Sequence, residues 1–185
     1  VQLNERSFDE LLKKIDPTAV LFDRFLTEEQ YGWRVSECCP AAIKILDTED
    51  LHLLRSARKT AYKNKVPLTP ALLMNETAKR EIASIYRCDI TLVISSFEMA
   101  LLKDTFKIPE FLLIYIPFLL NEMEINAFNS YPSYDERKHF MTIGNFMHAP
   151  NWDAVLYLKN YLWPSIHKKL PQAEMHIYGA YSHQK

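Results

Sequence analysis

Apolar positions along the chain alternate between helical and strand spacing, and most changes of period carry a start or stop residue. Ser7-x-x-Glu10 is a capping-box pattern ahead of Leu11, Leu12 and Ile15, and Pro17 ends the helix it opens. Residues 18–22 predict a short buried strand. Thr27-x-x-Gln30 predicts the next helix start, with Tyr31, Val35 and Cys38 on one face and Pro40 as its stop. Residues 42–46 read as a second strand, and from Asp47 a helix runs through Leu51, Leu54, Arg58 and Tyr62, loosening at Pro67 and Pro70. Asn75 is placed to cap a helix that turns Ala78, Ile82 and Ile85 inward and pairs Glu76 with Arg80 at i,i+4. A strand over 89–94, a helix over 96–104 and a strand over 111–116 follow.

The segment NEMEINAFNSYPSYDER has no sustained period and reads as a linker. Beyond it, a strand over 138–143, a helix with Val155, Leu158, Leu162 and Ile166 on one stripe, a bend at Pro164 and a strand over 174–178 complete the pattern. Strands separated by helices predict right-handed crossovers and parallel sheets. The expected architecture is α/β and doubly wound, with helices on both sheet faces. It comprises a Rossmann-like domain over 1–118, a linker over 119–136 and the beginning of a second Rossmann-like domain over 137–185.

Composition narrows the function classes. Among 185 residues, 48% are hydrophobic and 24% charged, and 22 basic residues face 23 acidic ones, for a net charge of -1. That balance reads as an ordinary soluble globular chain and gives no electrostatic reason to expect nucleic acid as a partner. The three cysteines, two of them adjacent as Cys38 and Cys39, fit neither a disulfide framework nor a zinc site, so a reducing, cytoplasmic setting is expected. The apolar run from Phe111 to Leu120 is too short for a membrane span of about 20 residues. With only 3 glycines there is neither a GxGxxG nor a GxxxxGK loop.

In open parallel sheets ligands bind at the carboxyl ends of the strands, and four such exits carry polar chemistry here. They are Asp23-Arg24, the run Asp47-Thr-Glu-Asp50-Leu-His52, Ser95-Ser96-Phe-Glu98, and the turn from Gly144 to Asn151. Glu49 or Asp50 could serve as general base toward a hydroxyl, with His52 beside them; a metal site is disfavoured, because consecutive positions do not converge as an i,i+4 pair does. Ser95-x-x-Glu98 is also a plain capping box. At Gly144, a strand end followed by a helix capped by Asn151 would direct free amides and a positive dipole end at a diphosphate, or would be an ordinary βα turn with Asn151 as its cap.

The run HFMTIGNFMHAPNWDAVLYLKNYLWPSIHKKLPQAEMHIYGA resembles the opening of the C-terminal domain of family-4 glycosyltransferases, retaining enzymes of GT-B fold that use nucleotide sugars. GNFMHAPNWDA is its most specific portion. CDITLVISSFEMALL resembles the family's strand-Ser-x-x-Glu-helix unit, and ILDTEDLHLLR its acceptor-side loop. The resemblance implies a hexosyltransferase with two Rossmann-like domains, acting without a metal or other cofactor. Glu49, Asp50 and His52 would be the catalytic loop, and Ser95, Ser96 and Glu98 the acceptor side. Gly144, Asn145, His148, Asn151 and Gly179 would hold the donor. The implied partners are a nucleotide sugar and a carbohydrate or lipid-linked acceptor, with peripheral membrane contact left open. Many relatives carry a histidine before the acidic residue of the acceptor loop, where this chain has Glu49 before Asp50. The family's first strand would precede Val1 and its Glu-x7-Glu segment would follow Lys185, so the expectation is a partial chain, inactive in isolation. The alternative is a non-catalytic α/β binding or scaffold module.

Overall fold

The computed structural model describes residues 5–119 and 130–181. The chain divides into two compact units, Val1–Leu120 and Asn121–Lys185. Most of the segment read as a linker lies outside the described residues; its later part holds a 3-10 turn, Tyr134–Glu136, closed by a capping box between Ser133 and Glu136.

In the first unit, α1 (Arg6–Ile15), β1 (Ala19–Asp23), α2 (Arg24–Cys38) and β2 (Ile43–Asp47) come first. They are followed by α3 (His52–Asn64), the single turn α4 (Pro70–Leu73), α5 (Glu76–Arg87) and β3 (Ile90–Val93). Next comes α6 (Ser96–Ala100), which continues as a π turn over Leu101–Thr105, and then β4 (Leu113–Tyr115). The four strands are parallel and lie in the order β1-β2-β3-β4. The fold is therefore α/β, with a parallel sheet flanked by helices, consistent with a Rossmann-like arrangement.

The strand order corrects one expectation. A doubly wound sheet reverses direction, whereas these strands step one way, and right-handed crossovers that step one way all fall on the same face. The burial follows that geometry. Phe22, Leu46, Thr91 and Leu113 form one cross-strand row and are all buried, with Leu46 completely so. On the opposite face Leu21, Ile43 and Ile114 are 58%, 47% and 41% exposed. The core lies between the sheet and α2, α3, α5 and α6, where Val35, Leu53, Leu54, Ala57, Ile85 and Leu102 close over the strands.

Local chemistry explains most boundaries. Asn75 caps α5 as expected, its Oδ1 accepting from the Ala78 N–H at 3.0 Å. Helix α2 starts at Arg24, three residues before the Thr27 box; Asp23 stands at its N-cap position without a side-chain cap hydrogen bond, its carboxylate being held by the Arg24 guanidinium. The predicted Glu76–Arg80 pair does not form. Arg80 reaches Glu29 on α2, and Glu76 pairs with Lys79 at 2.6 Å. Long-range pairing prevails because Arg80 then ties α5 to α2, a contact two exposed residues on one helix turn cannot offer.

Two further ion pairs fasten the helical layer. Arg34 chelates Asp9 at 2.6 and 2.7 Å and, with the Phe8–Tyr31 edge contact at 4.9 Å, holds α1 to α2. Arg87 on α5 chelates the buried Glu28 on α2. Gly32 makes room for that carboxylate: a Cβ there would stand 2.5 Å from Glu28 Oε1.

The second unit holds β5 (Phe140–Asn145), α7 (Ala149–Tyr157), a π turn over Leu158–Leu162, α8 (Trp163–Lys169) and β6 (Met175–Ala180). Strands β5 and β6 are parallel and paired from Phe140↔Met175 to Asn145↔Ala180. At Pro164, where a bend is expected, the helical run continues, and a π turn over Leu158–Leu162 lies just ahead of the proline, whose missing N–H removes one rung of an α ladder. No described helix is long and apolar enough to cross a membrane.

Candidate functional site

The first unit gathers its polar chemistry at the carboxyl ends of β1, β2 and β3. Two non-glycine residues with left-handed backbone meet there, Arg24 at φ 64 and Glu49 at φ 53, and their side chains form an ion pair at 3.5 Å. Such conformations cost about 1–3 kcal/mol each and persist where the surroundings impose them. At Glu49 the support is an Asx turn, in which the Glu49 N–H donates to Asp47 Oδ1 at 3.0 Å. Asp50 is held by Arg55 in a bidentate pair.

Helix α3 begins at His52 without a side-chain cap from its own N-cap residue, Leu51. Carboxylates from other helices take that role. Glu81 of α5 accepts the N–H groups of His52 and Leu53 at 3.0 and 2.9 Å, and Glu98 of α6 accepts that of Leu51 at 3.1 Å. Glu98 is thus diverted from the capping box read in the sequence: Ser95 Oγ accepts the Glu98 N–H at 3.4 Å, but the carboxylate turns to α3. Ser96 is the first, exposed residue of α6.

Burial sets the protonation of this cluster. Glu81 is 1% exposed, and desolvation raises its carboxyl to about 7 although the two amide hydrogen bonds pull the other way. Glu98 is raised for the same leading reason, while burial and then the Arg55 charge lower His52. His52 Nδ1 stands 3.6 Å from Glu81 Oε1 and its ring packs edge-on to Phe25 at 5.4 Å. His52 Nδ1 and Glu98 Oε2 are buried with no hydrogen-bond partner among the described residues. Glu49, Asp50, His52 and Glu98 therefore share one locus, with Arg24, Arg55 and Glu81 around them.

The second unit assembles the other predicted set. Gly144 lies opposite Gly179 in the β5–β6 register. Asn151 Nδ2 donates to the Asn145 carbonyl at 3.1 Å, and a Cβ on Gly144 would meet that nitrogen at 3.3 Å. The expected cap at Asn151 is not realised: helix α7 begins at Ala149 with His148 as N-cap, and Asn151 sits in the first turn. The loop amides are mostly engaged: Phe146 donates to Ala180 O, Met147 to Asn145 Oδ1, His148 to Asn145 O, and Asn151 and Trp152 to His148 O. Pro150 has no N–H, which leaves the Ala149 amide.

Searches against protein-family models, curated proteins and solved structures find no match.

Sequence reasoning missed Glu81 and Arg24. Glu81 carried a signal, since it falls between Ala78 and Ile85 on the inward stripe of α5, where an unpaired charge is rare. Arg24 carries no such signal, because its left-handed backbone and its contact with Glu49 depend on the β1–β2 alignment.

Gly179 has a steric reason to be glycine. A Cβ there would fall 2.0 Å from the Gly144 carbonyl and 2.7 Å from the Phe146 ring. Gly179→Ala is expected to cost about 1–3 kcal/mol or more, because backbone must move to admit the methyl. Hydrogen exchange of the β5 and β6 amides would report it, and unchanged protection would contradict the close approach.

Proposed function

We propose that this chain belongs to a retaining glycosyltransferase of GT-B type, which moves a sugar from a nucleotide diphosphate donor to an acceptor hydroxyl. The observation that carries the reading is the first unit's carboxylate locus, where the strained Glu49, Asp50, His52 and the buried Glu98 meet at the exits of adjacent strands. It is joined by the sequence resemblance of the segments holding those residues and the Gly144 loop. In this role a carboxylate of the Glu49–Asp50 loop takes the acceptor proton. The acceptor oxygen bonds to the anomeric carbon while the bond to the diphosphate breaks, its electron pair leaving with the diphosphate. Arg55 engages Asp50 in a bidentate pair, whereas Arg24 holds Glu49 by one longer contact at 3.5 Å, so Glu49 is the freer base.

Thermal unfolding of the full-length gene product with UDP- and GDP-sugars, run beside a transfer assay, tests the proposal. A cognate donor at 100 times its Kd stabilises by about 2.7 kcal/mol, and Glu49→Gln is expected to lower transfer by about 10²-fold or more at unchanged stability. No donor-dependent shift and no transfer with any sugar would overturn it.

The engaged amides of the Gly144 loop favour a second reading, a non-catalytic α/β binding module. In that case acceptor-like carbohydrates raise the melting temperature while no nucleotide sugar does.

A further inference from the structure

The second unit carries a group of ligating side chains that the glycosyltransferase reading does not use. Glu174, the residue just before β6, and His176, the second residue of that strand, flank Met175, and their side chains meet on one side of the chain. The parallel register Phe140↔Met175 places His139 beside Glu174 across the strand pair. One ligand atom from each of the three lies within 4.8 Å of the others. His176 Nε2 is 3.2 Å from Glu174 Oε2, and the two imidazole rings are 5.5 Å apart.

We propose that His139, Glu174 and His176 bind a divalent transition-metal ion of the zinc class at the start of the β5–β6 sheet. Two imidazoles and a carboxylate are a donor set for such ions, unlike the all-oxygen sets of magnesium and calcium. Around a tetrahedral zinc, bonds of about 2.0–2.1 Å put neighbouring ligand atoms about 3.3 Å apart, the spacing His176 and Glu174 already have. The third ligand closes by side-chain rotation, which is open to it because His139 and Glu174 are exposed.

Coordination through His139 Nδ1 exchanges one hydrogen bond. His139 Nδ1 accepts the Glu174 N–H at 3.1 Å, so it uses the lone pair that a metal on that nitrogen would take. The displaced amide belongs to an exposed residue and hydrates, which makes the exchange inexpensive. The ion would tie together two strands whose described sheet contains no third, the kind of small sheet that gains most from a staple.

The full chain, freed of metal, is titrated with zinc by calorimetry and with cobalt(II) by visible absorption. The expected result is one equivalent bound, with absorption bands of nitrogen and oxygen ligation. His139→Gln and His176→Gln should each weaken binding by about ten-fold or more, while circular dichroism stays unchanged. Zinc should also slow hydrogen exchange at the β5 and β6 amides of the parent protein and not of the variants. Absence of saturable binding, binding that survives both substitutions, or exchange unaffected by zinc would overturn the assignment.

Discussion

Replacing Glu81 with alanine is expected to destabilise the first unit by about 3–5 kcal/mol, the sum of two buried helix-start amides left unpaired and a cavity under α3. Glu81→Gln should cost less, about 1–3 kcal/mol, because its amide oxygen still serves one N–H. The pH dependence separates the roles. Folded Glu81 keeps its proton up to about pH 7, whereas in the unfolded chain it releases it near the ordinary 4.5. Between those values the folded state binds more protons, so this contribution is full at low pH, falls as pH rises through the window and is absent above about 7. Its upper bound is about 3 kcal/mol. His52, lowered by burial, works in the opposite sense below its ordinary 6.5. The comparison that isolates Glu81 is therefore wild type against Glu81→Gln: their difference in urea unfolding free energy should shrink from pH 5 to pH 8, and a pH-independent difference would contradict a protonated Glu81.

The second large effect is expected at Arg87. Its guanidinium is the partner of Glu28, which is 2% exposed, and Ser84 Oγ accepts from the same group at 2.9 Å. Arg87→Ala leaves a carboxylate in a nearly dry position. The loss should be about 3 kcal/mol, at the lower end for a buried pair because Arg87 is itself half exposed and water can follow. A double variant, Glu28→Met with Arg87→Met, removes both charges and should recover most of that loss. Urea unfolding of the two variants decides it: equal instability would place the effect in packing and not in charge.

What could be read from the chain depended on how local the cause was. Asn75 was legible as a cap because its partner, Ala78, is three residues away. The α2 start was not, because a good local box at Thr27 was overtaken by a chain already helical from Arg24. Glu49, Asp50, His52 and Glu98 were legible as residues of strand exits, since exits are where turn residues interrupt apolar runs. Their convergence was not, since it requires the pairing of β2 with β3 and the diversion of Glu98 to the Leu51 amide. Glu28 and Glu81 sit on inward stripes, and their burial becomes intelligible only with Arg87 and the α3 amides in place. The strand order lay beyond periodicity altogether: alternating helices and strands suit a one-way sheet as well as a reversing one.

The one-way order β1-β2-β3-β4 has a consequence for how the first unit is made. Each strand docks beside the one synthesised just before it, so the loop to be closed at every step is a single crossover and none has to wait for distant chain. As the polypeptide leaves the ribosome these four strands can add in the order β1 to β4, and removing them from the β4 side would strip strands one at a time without breaking a ladder between those that remain.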